Sequence, residues 1–163
     1  MKKKISDEKS VGLRPTILPV STNCNMRCSY CYCDHGQDGI NKIMSYKMLE
    51  IIIKKFAETY PSFISFCWHG GEPLMAGLDF FQHVCKIQDK YQKESQVIEN
   101  RIQTNGTLIT EGVASFFNDK KFKIGISIDG PKYINDACRK MNNDTDSFEH
   151  IYVGINNMTL FPW

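Results

Sequence analysis

Short apolar or β-branched runs alternate with longer amphipathic stretches along this 163-residue chain, and that alternation predicts an α/β protein built on a parallel sheet. Two further observations agree. The stretches between the runs have helical length, and three of the four runs end in polar, glycine-bearing turns. Parallel sheets gather ligands at such strand ends. With 42% hydrophobic and 23% charged residues, the composition is that of a globular domain rather than a disordered, collagenous or membrane chain. Lys+Arg 20 against Asp+Glu 18 leaves a net charge of +2, so neither a nucleic acid nor an anionic membrane is expected as a partner.

In order, residues 1–14 read as a flexible charged tail and residues 15–163 as the folded domain. Residues 17–20 are a weak strand, because Pro19 must sit at an end or an unpaired position. Residues 45–60 read as a helix with Met48, Leu49, Ile51, Ile52, Ile53 and Phe56 on one side, Ser45 as its N-cap and Pro61 as its stop. The apolar run 63–68 reads as a strand covered on both faces. A second helix spans 78–93, a third strand 97–104 and a short helix 110–118 capped by Thr110. Residues 122–128 are a fourth strand, stopped by Asp129-Gly130-Pro131, and a last helical stretch begins near Ser147.

Seven cysteines cannot all pair internally. The basic start Met1-Lys2-Lys3-Lys4 leads into the polar stretch Ile5-Ser6-Asp7-Glu8-Lys9-Ser10 instead of an apolar signal core. A reducing cytoplasmic location is therefore expected, where clustered cysteines bind metal or do chemistry. In Cys24-Asn25-Met26-Arg27-Cys28-Ser29-Tyr30-Cys31-Tyr32-Cys33, three thiolates at C-x3-C-x2-C spacing suit three irons of a [4Fe–4S] cube and leave the fourth iron open. Zinc is the competing reading, with Cys33 and His35 as further donors. Structural zinc sites usually join two separated C-x2-C pairs, and no second pair exists here.

This segment is followed in order by Trp68-His69-Gly70-Gly71-Glu72-Pro73-Leu74, Gln103-Thr104-Asn105-Gly106-Thr107-Leu108 and Ser127-Ile128-Asp129-Gly130-Pro131. Together they resemble the radical S-adenosylmethionine (SAM) superfamily, and within it the N-terminal part of the anaerobic sulfatase-maturating enzymes and related peptide-modifying proteins. The resemblance spans residues 15–154. It implies an incomplete parallel (β/α) barrel of about four βα units, truncated before the final strands and the auxiliary-cluster region, with the fourth strand as an apolar edge.

The resemblance also implies a [4Fe–4S] cluster and SAM as cofactors. Cys24, Cys28 and Cys31 match the cluster ligands, and Tyr30 the aromatic residue beside the adenine. Gly70, Gly71 and Glu72 match the motif that receives the methionine amino group. Ser127 and Asp129 resemble positions near the ribose and carboxylate, and Arg139 suits capture of a carboxylate. Asn135 stands where the family carries histidine. The implied activity is reductive cleavage of SAM, with the resulting radical modifying a protein or peptide such as a sulfatase (cysteine or serine to formylglycine). The electron donor would be a flavodoxin or ferredoxin. No substrate-side catalytic residue is identified. Two alternatives stand: an iron–sulfur and SAM-binding fragment without turnover, and a zinc-stabilised structural domain. Cys33, Cys67, Cys85 and Cys138 match no ligand pattern. Gln103 and Asn105 are candidates to line the same pocket, although Asn105 with Gly106 reads most simply as a turn.

Overall fold

The computed structural model describes residues 13–33 and 43–163; the expected tail through residue 12 and the candidate zinc donor His35 lie outside them. In chain order the elements are β1 (Thr16–Ile17), β2 (Met26–Cys28), α1 (Tyr46–Thr59), β3 (Phe63–Trp68), a 3-10 turn (Pro73–Ala76), α2 (Leu78–Tyr91), β4 (Val97–Thr104), α3 (Glu111–Asp119), β5 (Lys123–Ile126), α4 (Lys132–Cys138), β6 (Arg139–Met141) and α5 (Phe148–Thr159). The expected caps hold: the Ser45 Oγ accepts from the Met48 amide and the Thr110 Oγ1 from the Val113 amide, each at 3.3 Å.

Strands β1, β3, β4 and β5 form one parallel sheet in that spatial order. Spatial order thus follows chain order. Crossovers of one hand then place every connecting helix on the same face, as in a barrel wall. On that face Ile64, Phe66 and Trp68 of β3 pack among Leu49 and Ile53 of α1, Phe80, Phe81 and Val84 of α2, and Ala114 and Phe117 of α3. Phe81 lies edge-on to Trp68, Phe80 and Phe117, with ring centroids 6.0, 5.5 and 5.5 Å apart. The polar atoms buried here are satisfied: Trp68 Nε1 donates to Asn100 Oδ1 at 2.9 Å, and Asn100 exchanges amide hydrogen bonds with Gln88.

Alternate residues on the other face are polar. Glu99 accepts from the Ser65 hydroxyl at 2.8 Å and the Arg101 Nε at 2.7 Å, and Lys123 completes the group. Cys67, Arg101, Gln103, Lys123 and Gly125 line a hollow of about 300 Å³ on this side. The run 63–68 is therefore covered by helices on one face only, because on the other Ser65 bonds Glu99 and Cys67 lines the hollow.

Several details differ from expectation. The first strand is Thr16–Ile17 rather than 17–20, because Pro19 has no N–H to give a ladder and the chain turns there. On α1, Met48 and Ile51 are exposed instead of packed with Leu49 and Ile53. Leu13 belongs to the sheet rather than to a tail: it bridges Ile64, and its carbonyl accepts from the Ser65 amide at 3.1 Å. The fourth strand is shorter at both ends, although the Ser127 amide still reaches the Thr104 carbonyl at 2.9 Å. Among the described residues β5 is an edge of the sheet, with exposed Lys123 beside half-buried Ile124 and Ile126. Finally, α4 and the antiparallel pair β2–β6 were not foreseen. Three residues on each strand are too few for periodicity to register, and they pair only because the chain returns across the rim.

Candidate functional site

The site lies where the loops after β1, β3, β4 and β5 meet. The Gly71 and Glu72 amides donate to the carbonyls of Ser21 and Asn23 at 2.9 and 2.8 Å, lacing the turn after β3 to the start of the cysteine loop. Such contact requires glycine: a methyl at Gly71 would overlap the Asn23 carbonyl, and one at Gly70 (φ +107°) would lie 2.6 Å from the Ser21 carbonyl oxygen.

Glu72 is fully buried. Its Oε1 accepts from the Leu74 amide at 2.9 Å and the Thr104 hydroxyl at 2.7 Å, and its Oε2 from the Asn105 amide at 2.7 Å. Burial pushes its pKa up, against the pull of these donors. The carboxylate is thus committed to the protein itself, tying the ends of β3 and β4 together. Among the described residues nothing donates to the Gly70 or Gly71 carbonyl.

The three thiols line the loop that follows. Cys24 is half-buried, and its Sγ accepts from the Met26 amide at 3.4 Å and the Asn105 Nδ2 at 3.8 Å. Cys28 sits on β2, and Cys31 is exposed, its amide held by the Cys28 carbonyl at 3.1 Å. Burial raises the Cys24 thiol to about 11 and also raises that of Cys28, where the Arg139 charge opposes it. As free thiols both keep their protons at neutral pH, so a metal must displace them. Among the described residues no three His, Cys, Asp or Glu side chains are grouped to hold a single ion. The donor set itself fits an iron–sulfur cluster: three soft sulfurs on one short loop, one exposed at the rim and one already receiving N–H···S bonds.

The β2–β6 pairing brings Arg139 opposite Cys28 across 111 residues of sequence. Its Nη1 donates to the Tyr30 hydroxyl at 2.7 Å and lies 4.0 Å from Asp129 Oδ1; the same hydroxyl donates to Asp129 Oδ2. Arg139 is 7% exposed, and its Nε is a buried donor without a partner. Three residues that the sequence nominated separately therefore form one cluster beside Cys28. Ser127 is close by, its Oγ accepting from Gln103 Nε2 at 2.9 Å.

Asn135, in the position where histidine was expected, is fully buried. It accepts from the Asp129 amide at 3.4 Å and donates to the Ser147 hydroxyl at 3.0 Å, fixing the loop that carries Asp129. Asp136 next to it caps α5 through the Ser147 and Phe148 amides at 3.1 and 2.9 Å. The sequence singled out neither Asn25 nor Asn142, and for Asn105 it favoured a turn over a place in the pocket lining. Asn142 Nδ2 donates to the Cys24 carbonyl at 2.8 Å, and Asn25 joins Asn105 and Thr107 in one network. The available signal was the density of asparagine around the cysteine loop and the strand ends.

A one-faced parallel sheet with a three-cysteine loop after its first strand defines a class, and comparison with known families agrees. Residues 18–159 match the Radical SAM superfamily model, and the chain belongs to that superfamily. Its relatives include the cysteine-type anaerobic sulfatase-maturating enzyme of Clostridium perfringens, 38% identical over 83% of this chain and 38% of that protein. Another is the serine-type anaerobic sulfatase-maturating enzyme of Bacteroides thetaiotaomicron, 37% identical over 86% of this chain and 35% of that protein. Among solved structures, tagged anSMEcpe with bound AdoMet superposes with a TM-score of 0.86 at 36% identity, covering 91% of this chain and 41% of that one. The native form with bound AdoMet and a peptide gives 0.83 at 35% identity, over 90% and 40%. The chain thus spans about two-fifths of the relatives it matches.

Proposed function

We propose that this chain is the cluster- and SAM-binding part of a cytoplasmic radical SAM enzyme that modifies a protein or peptide. A sulfatase cysteine or serine is the substrate class to which its relatives' names point. The observation that carries the reading is Arg139. Tyr30 and Asp129 hold one edge of its guanidinium, and its buried Nε keeps an unused donor beside the cysteine loop. A guanidinium fixed in this way suits a carboxylate ligand such as the methionine end of SAM.

Cys24, Cys28 and Cys31 would hold the [4Fe–4S] cluster, which when bound supplies the electron that breaks a carbon–sulfur bond of SAM. The protein's own residues bind and orient. Arg139 takes the carboxylate, and the free carbonyls of Gly70 and Gly71 accept from the ammonium. Tyr30, exposed at the rim, offers its ring to the adenine, while Ser127 and Asp129 offer oxygens to the ribose. The hydroxyl of Tyr30, fixed between Asp129 and Arg139, holds that ring in place. Peptide substrate and an electron donor of the flavodoxin or ferredoxin type come from outside.

Anaerobic reconstitution tests the reading. The chain should turn brown with iron and sulfide matching one cube, and Cys24→Ala, Cys28→Ala or Cys31→Ala should abolish the colour. Arg139→Leu should keep the colour and weaken SAM binding by at least about tenfold, the ~1.4 kcal/mol of one charge-assisted pair. Colourless protein holding stoichiometric zinc overturns it. Release of 5′-deoxyadenosine on reduction separates an enzyme from a chain that only binds.

A further inference from the structure

We propose that Asn105 is a positioning residue for the cluster, acting through the sulfur of Cys24 and raising the cluster's reduction potential. The inference rests on the reading that Cys24 is a cluster ligand.

Asn105 is 6% exposed, and its backbone amide and both polar side-chain atoms are hydrogen-bonded. Its backbone amide donates to the buried Glu72 at 2.7 Å. Its Oδ1 accepts from the Thr107 amide at 3.0 Å and the Thr107 hydroxyl at 2.8 Å. A backbone amide can only donate, so the side-chain oxygen faces Thr107, and the nitrogen must face Cys24 and Asn25. That nitrogen donates to Asn25 Oδ1 at 2.8 Å and points a second hydrogen at Cys24 Sγ, 3.8 Å away. With the Met26 amide at 3.4 Å, Cys24 Sγ therefore receives two N–H donors.

Reduction of an iron–sulfur cluster adds negative charge that spreads onto the ligand sulfurs. A donor aimed at such a sulfur stabilises the reduced state more than the oxidised one. Asn105 is thus a device that couples the Gly70-Gly71-Glu72 turn, through Glu72, to the electronic state of the cluster.

The test is an EPR-monitored redox titration of the reconstituted full chain beside Asn105→Leu, Asn105→Asp and Asn142→Ala. The Asn142 side chain is exposed and bonds the Cys24 carbonyl rather than its sulfur, so its removal reports a purely mechanical role at the same cysteine. Asn105→Leu should lower the ratio of reduced to oxidised cluster at a fixed potential by about tenfold, 59 mV for a one-electron couple. Asn105→Asp, similar in shape but anionic, should lower it further, and Asn142→Ala should leave it unchanged. Loss of the cube from both Asn105 variants, with their far-ultraviolet spectra intact and Asn142→Ala still loaded, overturns the assignment, since Asn105 would then be needed to retain the cluster and not to set its potential. Unchanged potentials in loaded Asn105 variants overturn it, as does an equal shift in Asn142→Ala. A chain that takes up no cube before any substitution overturns the functional reading itself, and so fails differently.

Discussion

The two faces of the sheet are made from neighbouring residues of the same strands, yet they are held by different physics. On the helix side, Ile64, Phe66 and Trp68 are removed from water by an aromatic cluster reaching across three helices. On the other side, Ser65, Glu99, Arg101 and Lys123 hold one another by hydrogen bonds and charge, and Arg101 and Lys123 border a hollow. Burial of apolar area adds up with the area removed from water and is not screened by salt, whereas exposed ion pairs are screened and contribute little each. The helix side should therefore carry the stability of the chain, and the rim and hollow should carry its chemistry.

The largest effect should come from the helix side. Trp68→Ala opens a cavity under α2 and should cost about 3–5 kcal/mol in urea unfolding. A loss below 1 kcal/mol would mean that the cluster of rings is not the core. Next comes the rim: Gly71→Ala forces the Asn23 backbone aside and should cost about 1–3 kcal/mol. Its signature should be impaired iron uptake at a temperature where the far-ultraviolet spectrum is still native. Smaller again is Asp136→Ala, which uncaps α5 and should cost about 1 kcal/mol in thermal unfolding.

Glu99→Gln should have the smallest effect, at most about 1 kcal/mol and shrinking further in high salt, because Arg101 and Lys123 remain well exposed. Burial would raise the Glu99 pKa, but its bonds to Lys123, Arg101 and Ser65 outweigh that and hold it at about 2, below its ordinary 4.5. Since the folded value is depressed, the contribution is full above pH 4.5 and fades as pH falls toward 2. In a pH series of urea midpoints, the unmutated chain should lose its advantage over Glu99→Gln within that window. An advantage that survives to the acid end would place the stabilisation elsewhere.

Much of the fold was legible because its signals are local. Helical spacing in 45–60 and the apolar run 63–68 need only neighbours in sequence, and both elements formed within a residue or two of expectation. The pair β2–β6 was not legible, since Met26 meets Met141 only through a return across the rim. At the site, the cysteine spacing named the thiols, and motif order named Tyr30, Asp129 and Arg139. That Tyr30 bridges the other two is a matter of position, not of spacing. Glu72 shows the same limit: its place in the motif was plain, whereas its use of both oxygens inside the protein was not.

The sequence by itself determined the alternation of strands and helices, the three-thiol loop and the superfamily, because these depend on periodicity and on residues close together in the chain. Only the tertiary structure decided which face of the sheet is apolar throughout, and that Arg139 lies opposite Cys28. It alone showed Asn105 turning its amide nitrogen toward Cys24. Those outcomes follow from strand order and loop lacing, which bring residues some eighty to a hundred and ten positions apart into contact. Periodicity carries no information over such separations.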